Sequence, residues 1–214
     1  MKYSFRTRML HLLVAAAIVL QLADSQLMRV PRAGRPSTGL DAAAFAVHEY
    51  VGLASLAIIV LFWVRILVRR QETSLGVLLP WFSRQRLHGL RDDLMLHVRC
   101  AARLMLPDPE HSIAMSSAIQ GLGLVVALVM ATTGTIGYFL WTEGTAMTGL
   151  ARAAFEVHGT LANVLWGYVI VHVGAALLHE LLGHRVLRQM SPIPSARLET
   201  PHPSQAEDAG GLRK

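Results

Sequence analysis

The sequence predicts an all-α integral membrane protein: a four-helix transmembrane bundle with a cytoplasmic amphipathic helix between its second and third spans. Three observations predict it. Of the 214 residues 53% are hydrophobic and only 16% charged, against about 25% charged in an ordinary soluble domain. The deficit is concentrated in stretches without a single Lys, Arg, Asp or Glu, at 50–64, 112–142 and 157–179. The basic residues, in turn, crowd into the segments that alternate with the spans.

A membrane-spanning helix needs about 17–25 predominantly apolar residues. The first span is expected at 8–28, although Gln21 and Asp24 interrupt its second half. A competing reading of this segment is a cleaved signal peptide, because Lys2, Arg6 and Arg8 precede the apolar run and Ala23-Asp24-Ser25 resembles a small-residue cleavage site. His11 is out of place in such a core. The second span is expected at 46–68, once the polar residues His48 and Arg65 are taken as interfacial. The third is expected at 115–141 and the fourth at 156–181.

Between spans two and three, Leu87, Leu90, Leu94 and Val98 recur at three- or four-residue spacing, with Arg86, Arg91, Asp93 and Arg99 between them. This pattern predicts an amphipathic helix lying against the membrane or the bundle, ended by Pro107 and Pro109. One domain is expected over 1–190. Residues 191–214, rich in Pro, Ser and charge, read as a disordered tail.

Four spans place the N-terminus, the 65–111 segment and the C-terminus on one side. Residues 1–10 hold three Lys or Arg, 65–111 eight and 180–214 five, sixteen in all. The opposite side has four: Arg29, Arg32, Arg35 and Arg152. Basic loops favour the cytoplasm, so both termini are expected there. The same asymmetry explains the net charge of +6 without a nucleic-acid partner. The single cysteine, Cys100, rules out a disulfide framework, a Cys-x-x-Cys-His attachment site and a four-cysteine iron–sulfur cluster.

Ten histidines remain to be explained. His88, His97, His111, His184 and His202 fall in cytoplasmic or interfacial segments, whereas His11, His48, His158, His172 and His179 fall in or at the ends of spans. Ionisable residues within a bilayer are costly and mark function by default. His158 and His172 are fourteen residues apart, about four turns and ~21 Å along a helix, and so share a face at two depths. By topology His48 matches the depth of His158 near the outer surface, and His11 matches His172 near the inner one. Facing imidazoles across a bundle interior suit a six-coordinate haem iron. Gly52, Gly159 and Gly174 beside these histidines would give a flat group clearance, or serve helix packing. Arg6, Arg8 and Arg65 at the inner level are candidates for propionate contacts, or for positive-inside anchoring. His179 is an alternative to His172, or a neighbour of the haem or of a quinone.

The motifs Arg6, Arg8 and His11, then His48-x-x-x-Gly52, then His158 through His172 to Ala175-Ala176-Leu177-Leu178-His179 and Val186-Leu187-Arg188-Gln189-Met190 resemble those of the prokaryotic cytochrome b561 superfamily over roughly residues 1–190. The superfamily includes free-standing di-haem cytochromes and the cytochrome b subunits of nickel-iron hydrogenases and formate dehydrogenases. The resemblance implies a four-helix bundle in the bacterial inner membrane with two b haems on His11, His48, His158 and His172. It also implies a quinone as substrate or bound ligand, and a periplasmic dehydrogenase, hydrogenase or cytochrome c as partner. The long 70–111 segment is similar to the dehydrogenase-associated branch. That branch carries His-Asn-Pro before the third helix, beside the quinone site. Here His111-Ser112-Ile113 stands in its place with Gln120 further along, and the Asn and Pro are missing.

Three functions follow as alternatives. The first is an electron-transfer subunit linking a periplasmic donor to quinone. The second, also implied by the resemblance, is a stand-alone superoxide:ubiquinone oxidoreductase, with the outer arginines steering the anion. The third is a haem-free anchor or transporter, against which spans two to four lack the buried carboxylates of proton paths.

Overall fold

The computed structural model describes residues 3–31, 38–69, 74–103, 105, 107, 113–143 and 145–192. The described residues are helical and contain no strand. Four helices are long and apolar enough to cross a bilayer: α1 (Phe5–Asp24), α2 (Leu40–Val68), α5 (Ile113–Leu140) and α6 (Gly149–Leu181). Between α2 and α5 lie a short α3 (Leu75–Leu78), a 3-10 turn at Pro80–Phe82 and α4 (Arg84–Ala101); a short α7 (Val186–Met190) follows α6. The tail expectation falls almost wholly on 193–214, outside the described residues.

Local chemistry sets the helix ends. Ser4 caps α1 by accepting the Thr7 N–H at 3.3 Å. Both α2 and α6 start at a glycine of positive φ, Gly39 at 59° and Gly149 at 56°, a conformation a side chain would oppose. These starts lie ahead of the charge-free runs. At 33 residues α6 is ~50 Å long, well beyond a ~30 Å hydrocarbon core.

The packing is uneven. α1 lies on α2, α2 on α5 and α5 on α6, whereas α6 stands off from α1 and α2. The core runs along the first three contacts. Val14 of α1, Ile59, Phe62 and Ile66 of α2 and Ala127 of α5 form one buried cluster, and Leu22, Val126 and Leu165 a second. Large apolar side chains such as Leu13, Leu61, Val64, Ile170 and Val171 point outward and are exposed. Helices apolar on both their inner and outer faces belong in lipid.

The connection between α2 and α5 is part of the core. Leu78 is 2% exposed and joins the first cluster. It can do so because α5 has Gly121 there: a Cβ at that position would collide with the Leu78 carbonyl. α4 also packs on α5, and Asp93 accepts the Met115 N–H at 3.0 Å. A carboxylate is favourable at that positive helix end. The N-terminus, α4 and α7 thus gather at what we term the N-terminal face; the α1–α2 and α5–α6 connections form the hairpin face.

Candidate functional site

The gap left by α6 is bridged by imidazoles. At the hairpin face His48 of α2 and His158 of α6 face each other with ring centroids 6.1 Å apart and planes at 86°. At the N-terminal face His11 of α1 and His172 of α6 lie 6.4 Å apart at 51°. A metal bound by two imidazole nitrogens at about 2 Å each, with each centroid a further ~1 Å behind its nitrogen, separates the centroids by about 6 Å. Both pairs have that spacing. The structure brings His11 to His172 and does not bring it to His179. His179 instead shares a 2.8 Å Nδ1–Nδ1 hydrogen bond with His184.

The hairpin-face pair borders a cavity of about 660 Å³ lined by α1, α2, α5, α6 and the hairpin connections. Its wall is mostly apolar and includes Phe45, Trp141 and Phe155, whose rings meet edge to face. His158 is oriented by its own neighbours. Its Nδ1 is 2.9 Å from the Met130 carbonyl oxygen; a carbonyl only accepts, so Nδ1 carries the proton and Nε2 is left as the metal-binding nitrogen. Gly134 of α5 lies against the same ring, and a Cβ there would stand 3.0 Å from Cε1. Gly52 and Gly159 also border the cavity, whereas a Cβ at Gly174 would meet nothing within 4 Å. An apolar chamber of this size flanked by two imidazoles fits a flat macrocycle coordinated from both sides.

The N-terminal-face pair has different neighbours. Tyr168, one turn before His172, stacks on it with centroids 5.3 Å apart and planes at 11°. Its phenol is seated against the backbone of Gly123, where a side chain would collide with it. Of the three arginines expected near this level, Arg6 is exposed. Arg8 donates from Nε to the Tyr3 carbonyl at 2.9 Å and from a terminal nitrogen to the Ser191 carbonyl at 3.2 Å. Arg65 donates to Ser4 Oγ at 3.1 Å. Gln120 accepts from the Tyr3 hydroxyl at 3.3 Å. His111 and Ser112 lie outside the described residues.

Four residues at the site were not singled out from the sequence for such a place. Gln21 donates to the His48 carbonyl at 2.8 Å, and Asp24 lies 3.7 Å from His48 Nδ1. Both carried a usable signal, since polar groups inside a span are costly and functional by default. Tyr168 was detectable as a residue one turn from His172. Gly134 had no signal, because which glycine meets a ring depends on how α5 and α6 pack.

No curated protein and no solved structure matches the chain. A family model described as prokaryotic cytochrome b561 matches it from residue 2 to residue 192. With four apolar helices, and imidazole pairs spanning the gap in their bundle, the chain belongs to the prokaryotic cytochrome b561 family and transfers electrons in a membrane through haem b.

Proposed function

We propose that the chain carries electrons across the bacterial inner membrane between two b haems, one on His48 and His158 and one on His11 and His172. It would link a periplasmic donor (a dehydrogenase, hydrogenase or cytochrome c) to the quinone pool. The observation that carries this reading is the pair of imidazole pairs on one helix. α6 supplies His158 and His172, fourteen residues and about 21 Å apart, and each meets one histidine from another helix. When bound, haem b supplies a one-electron iron couple at each level.

The protein residues do the rest. The four imidazoles would hold the iron, and the Met130 carbonyl keeps His158 in the tautomer that leaves Nε2 free to do so. Phe45, Trp141 and Phe155 keep the hairpin-face chamber apolar. The excess of basic residues on the N-terminal face supports a cytoplasmic orientation for it and for α4. The quinone site is assigned to that face, near Gln120, Tyr3 and the α5 start, where His111 and Ser112 also belong in sequence.

The electrostatic case for the superoxide-oxidising alternative is weakened by pairing. Arg29 lies 3.5 Å from Asp41, and Arg152 lies 2.8 Å from Glu156; Arg32 and Arg35 fall outside the described residues. Pyridine haemochrome analysis with a reduced-minus-oxidised spectrum tests the proposal. Two b haems per chain are expected, and a single haem per chain would refute it. Rapid haem reduction by superoxide, with none by quinol or by a candidate donor, would favour the stand-alone reading.

A further inference from the structure

The polar residues that interrupt the apolar run of α1 converge on one ligand candidate. Gln21 Nε2 holds the His48 carbonyl, and Gly52, one turn along α2, leaves room for it: a Cβ there would stand 3.1 Å from that nitrogen. Asp24 Oδ2 lies 3.7 Å from His48 Nδ1. The Asp24 side chain is 9% exposed and that of His48 19%. Neither Asp24 Oδ2 nor His48 Nδ1 has a hydrogen-bond partner among the described residues.

The position of Asp24 is unfavourable by every local rule. It is the last residue of α1, at the negative end of the helix dipole, where a carboxylate is destabilising. Its side chain is little exposed at the hairpin-face end of the bundle, where a buried carboxylate without a partner is costly. Its backbone is fixed, because its carbonyl accepts the N–H groups of Leu27 at 2.8 Å and Met28 at 3.1 Å. The partner within reach is the imidazole N–H of His48. The 3.7 Å separation exceeds a good N–H···O distance by about half an ångström, which a small side-chain rotation closes.

We propose that Asp24 is the carboxylate partner of His48: it accepts the Nδ1–H, directs Nε2 toward the iron, and lowers the reduction potential of the hairpin-face haem. The inference rests on the bis-histidine reading above. A carboxylate behind a metal-bound imidazole makes that ligand more basic and favours the more oxidised metal. The other three histidines differ. His158 donates to a neutral carbonyl. His172 stacks on a neutral ring, and the ring contact made by His11 is with His172. Asp24 is therefore a positioning and tuning residue that acts through His48, and it shifts the potential of the hairpin-face haem alone.

Redox titration of the membrane-embedded holoprotein tests this, with the hairpin-face haem identified by its loss in His158→Ala. Asp24→Asn is expected to retain both haems and to raise the potential of the hairpin-face haem alone. The expected size is about tenfold in its reduction equilibrium, ~59 mV for one electron. An unchanged potential, or an equal rise in both haems, overturns the proposal. So does an equal rise in Glu49→Gln, which removes a carboxyl group next to His48 on the cavity wall without touching the proposed bond. If Asp24→Asn fails to assemble, infrared redox-difference spectra of wild-type protein labelled with 13C-aspartate give the answer. A carboxylate band must move when the hairpin-face haem is reduced, and its absence overturns the proposal. Wild-type protein lacking a second b haem would sink the bis-histidine reading itself. Two haems in the wild type with no response to Asp24→Asn would sink this inference alone.

Discussion

The two imidazole pairs share helix α6 and almost the same separation, 6.1 and 6.4 Å, yet their surroundings differ. The hairpin-face pair borders a large apolar cavity, with a carboxylate behind one ring and a carbonyl behind the other. The N-terminal-face pair sits by a stacked tyrosine, below a layer where Arg8 ties the N-terminal segment to Ser191 and Arg65 ties α2 to Ser4. Equal spacing makes the two sites alike in what they can coordinate. Unequal neighbours would make a haem at one site hold its electron differently from a haem at the other.

The comparison can be broken outright by removing one ligand. His158→Ala is expected to eliminate one of two b haems, halving the haem content, while the remaining spectrum is that of the His11–His172 site. Loss of both haems, or of neither, would contradict separate pairs. Gly134→Leu is expected to come next. Its side chain would enter the space of the His158 ring, so hairpin-face haem occupancy should fall several-fold with the other haem retained. Leu78→Ala tests the opposite end. Truncating a leucine buried in the core costs about 2–5 kcal/mol. The detergent-solubilised protein should unfold at lower temperature, with the hairpin-face spectrum unchanged before melting. Tyr168→Phe should do least, because the stacked ring stays and only the hydroxyl is lost. Both potentials should remain near their wild-type values, whereas Tyr168→Leu should move only that of the N-terminal-face haem.

Much of this architecture is legible in the sequence because membranes impose few choices. Charge-free runs of sufficient length must be helices, and they emerge as α2, α5 and α6. The fourteen-residue spacing of His158 and His172 follows from helical periodicity alone, so their sharing of a face could be read directly. Depth arithmetic then chose His48 and His11, which are the residues brought opposite them. What could not be read is anything set by rotation between helices. Gly134 meets His158, rather than Gly159 doing so, because of the angle at which α5 faces α6. Leu78 is indistinguishable in sequence from a membrane-surface leucine, and only the missing side chain of Gly121 admits it to the core. Asp24 is the instructive case. Taken as a composition defect it weakens the first span and favours a signal peptide; taken with its neighbours it lies beside His48.

The stand-off of α6 has a consequence for biogenesis. Among the spans this helix packs closely on α5, and it carries one histidine of each pair. It follows α1, α2 and α5 in the chain, so those three can assemble around the cluster of Val14, Ile59, Phe62, Ile66 and Ala127 before it arrives. Cofactor capture, rather than side-chain packing, would then clamp α6 to α1 and α2, and the energy of that capture would add to the stability of the whole bundle. Chains starved of haem should expose the 141–148 connection to protease far more readily than loaded ones. A cell could thereby clear empty copies without a dedicated sensor.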